Sequence, residues 1–290
     1  MGALRTGADL ATIFCAEEAA VAIKSYNPEL MVDGVYSAKK MQSDNKDTKD
    51  LEVKNMLKRV TESLDRMHAL VIGPGLGRDP AVLKATHSII KEARKRGISM
   101  VLDADALYLL SLGSHDLLTS LETSSQSCSD SAVVLTPNVV EYKRLVDSLA
   151  DGSEERLKKV LPGVIVVKKG HHDIIERFPN STCNEAAEEV ENEFMISEEK
   201  GGLKRCGGIG DILAGNIGVF LAWNQIISKQ GLESDLLLSC WMASGLTKRA
   251  TRAAFLKRKR SMTAPDILDE IGDVVDEVAS STIVEEEYSK

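Results

Sequence analysis

Apolar residues fall along this chain in two alternating kinds of run. Short continuous ones, Ala69 to Ile72, Ser99 to Leu102, Ala132 to Leu135 and Val164 to Val167, have the length and aliphatic content of strands buried on both faces. Between them apolar residues recur at helical spacing. In the charge-dense stretch from Asp44 to Arg66, the positions Leu51, Met56, Val60, Leu64 and Met67 predict an amphipathic helix. Val82, Ile89, Ile90 and Ala93 predict another over Ala81 to Arg96, closed by a basic turn and Gly97. Ahead of these lie a helix-like start, Ala3 to Arg5, and a strand over Asp9 to Cys15. After Ser261, DILDEIGDVVDEV predicts a last helix with a frayed acidic tail. Buried strands alternating with helices predict an α/β fold, a central, mostly parallel sheet with helices on both faces, while the length of 290 residues leaves one large domain or two small ones open.

Two stretches break the alternation. Ser114 to Ser131 is serine-rich and reads as a polar connection around Leu117, Leu118 and Leu121. Arg177 to Lys200, with Glu185, Glu188, Glu189 and Glu191, reads as an exposed excursion. The four strands end in GPGLG, DADAL, TPN and KKG, and in a parallel sheet those ends share one edge, where ligands collect.

Charge narrows the range of partners. A net charge of -8 argues against a chain whose main partner is a nucleic acid, and no apolar run approaches a membrane span. The basic run Lys257 to Arg260 is read as a solvated helix end. Five cysteines, odd in number and without a CxxC pair, fit reduced thiols, so a cytoplasmic location is expected, or a mitochondrial one if a targeting segment precedes this sequence.

Chemistry concentrates in RCGGIGDILAG, Arg205 to Gly215. Its glycines can bring backbone N–H groups up to an anion at the positive end of the following helix, whose buried face would hold Ile212, Leu213, Ile217, Phe220 and Leu221. Asp211 is repelled by such an anion unless it takes a proton from an attacking hydroxyl; the alternative is that it caps the helix. Asn138 and Glu141 can share one side of a helical turn and hold magnesium through water, or form a cap with a surface Glu. Lys169 can place a cation near a phosphate, whereas His171 and His172 lack the spacing of metal ligands. GPGLG lacks the dinucleotide GxGxxG spacing, and no GxxxxGK[ST] loop occurs.

Taken in order, GPGLG, DADAL, LTPNVVEYKRL, VVKKGHHD and RCGGIGDILAG resemble the ATP-dependent NAD(P)H-hydrate dehydratase family, of the ribokinase-like fold, and especially its eukaryotic members, over essentially the whole chain. That resemblance implies one domain over residues 1–290 and ATP-driven dehydration of the S epimer of 6-hydroxylated NADH or NADPH, with magnesium. It assigns Asp211 as the base and Gly207, Gly208 and Gly210 as the anion hole. ATP would meet Lys169, Gly170, His171, His172 and Asp173, then Gly201, Gly202, Leu203, Lys204, Arg205, Cys206, Gly207, Gly208, Ile209 and Gly210. The hydrate would meet Gly77, Asn138, Val139, Val140, Glu141, Tyr142, Lys143, Arg144 and Asp211, with Asn138 and Glu141 also acting through magnesium. The partners expected are these two small molecules, with no nucleic acid and no membrane; self-association is left open. The glycine-rich segment that usually precedes GALRTGADL in the family is absent from this sequence, which implies a chain truncated relative to it. The alternatives are a small-molecule kinase of the same fold, acting on a thiamin precursor or a sugar, and a nucleotide-binding protein without turnover.

Overall fold

A computed structural model of the chain describes residues 1–122, 131–180 and 193–288. The first part contains α1 (Gly2–Thr6), β1 (Thr12–Ala16), α2 (Glu17–Tyr26), β2 (Met31–Tyr36), α3 (Ala38–Met41), α4 (Lys46–Thr61), β3 (Ala69–Ile72) and α5 (Pro80–Lys95). Next come β4 (Ser99–Leu102), α6 (Asp105–Ser111), α7 (His115–Leu121), β5 (Val133–Leu135), α8 (Val139–Ala150), α9 (Glu154–Val160), β6 (Ile165–Lys168), β7 (Asp173–Arg177) and β8 (Phe194–Ser197). Three long helices close the chain: α10 (Ile209–Lys229), α11 (Leu236–Arg258) and α12 (Ala264–Tyr288).

The main sheet has the order β3-β4-β5-β6-β7-β8. Its first four strands run parallel, so their carboxyl ends do share one edge, and β7 and β8 join antiparallel. Alternation along each strand sorts the core into two layers. Met100, Leu102, Val133, Leu135 and Val166 face the layer that includes α4 and α5. Val101, Val134, Ile165 and Val167 face α10 and α11 through Leu213, Ile217, Leu221 and Ala243. A separate parallel pair, β1 and β2, packs against α4 and contributes Val35 to the first layer.

Local chemistry sets the element ends. The Asp79 side chain accepts the Ala81 and Val82 N–H groups at 2.8 and 3.2 Å, Pro80 sits where a missing N–H costs nothing, and Gly97 leaves α5 with φ 67.

Several expectations need correcting. The serine-rich connection contains α7, because Leu117, Leu118 and Leu121 are all buried against the core; residues 123–130 and Cys128 lie outside the described residues. The excursion after Arg177 contains β8, which covers β7; Glu185, Glu188, Glu189, Glu191 and Cys183 also lie outside. The first strand begins at Thr12, not Asp9, and β2 was not anticipated. Leu51 is exposed while Glu52 is buried, because the Glu52 carboxylate accepts the Ser37 N–H at 2.6 Å beside Lys40, and Val53, Met56 and Val60 form the buried stripe. The last helix continues through the acidic stretch to Tyr288. Lys257 to Arg260 is exposed at the end of α11, as expected.

No helix among the described residues is long and apolar enough to cross a membrane. Cys15, Cys206 and Cys240 are free thiols, and full burial pushes Cys240 up to about 12. At pH 8 a thiol reagent therefore labels Cys240 only after denaturation; mass spectrometry showing it alkylated in the native protein as fast as Cys15 would contradict this burial.

Candidate functional site

The shared edge is stitched together by its own backbone. At the end of β3, Gly73 has φ 122 and lies so close to the next strand that a Cβ there would stand 1.7 Å from the Asp103 carbonyl oxygen, which explains one glycine of GPGLG sterically. The Gly77 N–H donates to Asp105 Oδ2 at 3.0 Å. Arg78 pairs with Asp105 Oδ1 at 2.9 Å while its guanidinium stacks 4.3 Å over Tyr108. Further along, the Lys169 N–H donates to the Pro137 carbonyl at 2.9 Å, tying the end of β6 to the start of α8.

Asn138 and Glu141 form a capping box. Asn138 Oδ1 accepts the Val140 and Glu141 N–H groups, and Glu141 Oε2 accepts the Asn138 N–H at 2.8 Å. Only one oxygen of the Glu141 carboxylate is used this way, so these two residues fit a magnesium ion held through water. No group of three or more His, Cys, Asp or Glu among the described residues could hold a metal directly. Magnesium commonly keeps several waters and takes other ligands from phosphates. Val139 and Val140 expose their side chains at this edge, whereas Tyr142 turns away, its hydroxyl on Glu154 at 3.0 Å and its ring under the Lys168 ammonium. Lys143 is exposed and Arg144 half-buried.

The glycine-rich turn leads into α10 as expected. Its N-cap is Gly208, at φ 91 with no side-chain cap, and Asp211 is the third residue of the first turn. Asp211 therefore does not cap the helix, and its carboxylate is open to solvent. Partial desolvation, reinforced by the neighbouring Asp103, pushes that carboxyl above the ordinary Asp value, against the opposing Lys169. The Lys169 ammonium bonds the buried Asp103 carboxylate at 2.8 Å. A Cβ on Gly210 would lie 3.3 Å from that ammonium and 3.7 Å from Asp103 Oδ2. Asp103, Lys169, Gly210 and Asp211, widely separated in sequence, thus meet at one spot.

The two loops assigned to ATP are held by α11. Asp173 is buried: its carboxylate accepts the Gly170 N–H at 2.9 Å and the Ser244 hydroxyl at 2.7 Å, and pairs with Lys248 at 3.3 Å. Lys248 also donates to the His171 carbonyl at 2.8 Å, which leaves the His171 and His172 side chains exposed. Gly202 donates its N–H to Thr251 Oγ1 at 3.1 Å, and a Cβ on Gly202 would strike the Thr251 carbonyl at 2.6 Å; Gly201 lies alongside. Leu203 and Arg205 point into solvent, Lys204 is tied to the Met262 carbonyl at 2.6 Å, and Cys206 is half-buried. Gly207 is exposed, and Ile209 packs beside the core of α11 and α12.

Sequence reasoning missed Asp105, Ser244, Lys248 and Thr251. The last three fall at i, i+4 and i+7 on α11, a polar stripe on one face of a largely buried helix, and that stripe was the one signal of them. Thr251→Val removes the acceptor of the Gly202 N–H, which costs about 1–2 kcal/mol. Denaturant unfolding should show that loss; an unchanged value would mean that the bond holds nothing.

Solved structures share this arrangement of strands and helices. A ribokinase-like superfamily protein from Enterococcus faecalis matches with a TM-score of 0.62 at 20% identity, over 95% of this chain and 80% of that one. An ADP/ATP-dependent NAD(P)H-hydrate dehydratase from Bacillus subtilis, co-crystallised with ATP/Mg2+, matches with a TM-score of 0.57 at 20% identity, over 97% and 82%. The fold is ribokinase-like. At the level of sequence, the family model described as NAD(P)H-hydrate dehydratase covers residues 1–273. An ATP-dependent (S)-NAD(P)H-hydrate dehydratase of Entamoeba histolytica is 37% identical over 284 residues, spanning 96% of this chain and 81% of its own length. The chain belongs to the NAD(P)H-hydrate dehydratase family.

Proposed function

We propose that the protein uses ATP to dehydrate the S epimer of 6-hydroxylated NADH or NADPH, within one domain over residues 1–290. The observation that carries this reading is Asp211: a solvent-open carboxylate in the first turn of a helix entered through Gly207 and Gly208, beside the Lys169 ammonium. Asp211 takes the proton of the substrate hydroxyl, whose oxygen attacks the terminal phosphorus of ATP and displaces ADP. The phosphate ester then loses inorganic phosphate and a ring proton, restoring the dihydronicotinamide; the sum is hydrate plus ATP giving dinucleotide, ADP, phosphate and one proton. Backbone N–H groups of Gly207, Gly208 and Gly210 hold the transferring phosphoryl oxygens. Asn138 and Glu141 would hold magnesium through water, and the ion bound there would neutralise phosphate charge. Gly77 and the segment Asn138 to Arg144, apart from the Tyr142 side chain, bind the hydrate, and the loops Lys169 to Asp173 and Gly201 to Gly210 bind ATP, with Asp173 serving through its clamp.

The same phosphoryl chemistry serves a small-molecule kinase, so the deciding test is substrate choice. ADP release is followed with the hydrate, a thiamin precursor and a sugar in parallel. The hydrate alone should support it; release with a vitamin precursor or sugar and none with the hydrate would replace this reading by the kinase.

A further inference from the structure

We propose that Asp103 is a positioning residue of the phosphoryl-transfer site: through its ion pair it holds the Lys169 ammonium against Gly210, where the terminal phosphate of a bound nucleoside triphosphate is received. The proposal rests on the functional reading above and deepens it. A lysine at a strand end is ordinarily a solvated, flexible cation. Lys169 is instead held at 2.8 Å by a carboxylate that is itself buried, and its Nζ lies within van der Waals reach of a Cβ on Gly210. Among the described residues, the one side-chain hydrogen bond of that carboxylate is to Lys169, so its burial serves no other polar contact.

The backbone around Asp103 is fixed to match. Its N–H donates to the Ile72 carbonyl and its own carbonyl accepts from Ala106 while nearly touching Gly73, so the end of β3 and the start of α6 determine its place. Ala104, next in the chain, is driven to φ 48, a conformation costly for a residue with a Cβ and kept where the surroundings over-determine it. An arriving phosphate thus meets a cation already oriented, and its charge is favoured without first ordering a lysine side chain.

The charged groups facing Asp211 are Asp103 and Lys169, at the ends of β4 and β6. Asp103→Asn removes a negative neighbour and frees the cation, so Asp211 stays ionised to lower pH. Binding of ATP with magnesium is measured by calorimetry, alongside hydrate turnover against pH, for the natural protein and for Asp103→Asn. ATP affinity should fall about tenfold, the KM for the hydrate should stay within about twofold, and the acidic limb of kcat/KM should move to lower pH. Unchanged ATP affinity in a folded variant, or an unmoved limb with both substrates weakened equally, would overturn the assignment. Should Asp103→Asn not fold, Asp103→Glu, which keeps the charge but displaces the ammonium by one methylene, must weaken ATP at an unchanged melting temperature; natural affinity in it would equally overturn the proposal. A natural protein that binds ATP but leaves the hydrate untouched fails the dehydratase reading, while the calorimetric comparison still judges Asp103.

Discussion

Asp211→Asn is expected to lower turnover of the hydrate about 10²- to 10⁴-fold, the range for loss of a positioned general base, while ATP binding survives. The separation follows from the site's construction. In the proposed function the phosphate is received by backbone N–H groups of the turn at Gly208 and by the Lys169 ammonium, and neither the turn, which has no side-chain cap, nor the Lys169–Asp103 pair uses the Asp211 side chain. To act as the proposed base Asp211 must be ionised, and its carboxyl is raised above the ordinary Asp value by desolvation and by Asp103. Activity therefore falls as pH drops through that raised value, and the variant's residual rate loses this limb.

The same shift has a sign in stability. A carboxyl whose folded pKa lies above its unfolded one contributes stability that is present below the unfolded pKa and lost as pH rises through the folded one. Asp211→Asn should accordingly raise the melting temperature at neutral pH, with the difference vanishing in acid. A variant less stable at neutral pH would show that Asp211 holds the structure together rather than serving chemistry.

The second large effect is on the fold. Asp173→Ala removes the partner of Lys248 and the acceptor of both the Gly170 N–H and the hydroxyl of Ser244, with Asp173 and Ser244 themselves buried. Breaking a buried pair from one side costs about 3–5 kcal/mol, because the remaining charge stays in low dielectric without its counter-charge, the Lys248 ammonium keeping only the His171 carbonyl among the described residues. The loss should appear in denaturant unfolding without any nucleotide present, and ATP affinity should fall with it, since the loop from Lys169 to His172 is built on this clamp. Weakened ATP binding at undiminished stability would instead make Asp173 a direct ligand of the nucleotide.

These effects also show where the sequence could be read and where it could not. β4, β5 and β6 are buried on both faces, and their continuous aliphatic runs are unmistakable as parallel strands, so the amino-acid pattern alone lays their ends side by side. β2, β7 and β8 defeated the same reasoning. They lie at or near sheet margins, where Asp33, Gly34, Asp173 and Glu176 interrupt the apolar pattern and exposed Phe194 and Ile196 mimic a loop. Glu52 was hidden for a related reason: a buried carboxylate satisfied by the Ser37 N–H shifts the apparent stripe of α4 by a residue.

At the site, motifs bounded by glycine were legible because the backbone itself demands them, as at Gly73 and Gly208. The residues that hold those motifs in place were not. Asp103 meets Lys169 across 66 positions and Ser244 meets Asp173 across 71, and no local pattern announces such pairs. Only the i, i+4, i+7 polar stripe of α11 hinted that a buried helix had something polar to grip.

The central claim, that this family member uses ATP to restore a dihydronicotinamide, is tested most directly in one cuvette. The chain is mixed with purified S-hydrate, ATP and magnesium while the dihydronicotinamide absorbance is followed. The account predicts that absorbance returns with one ADP and one phosphate formed for each dinucleotide restored, and that it stays flat without ATP. A flat trace with ATP present, from protein shown by calorimetry to bind the nucleotide, would contradict it.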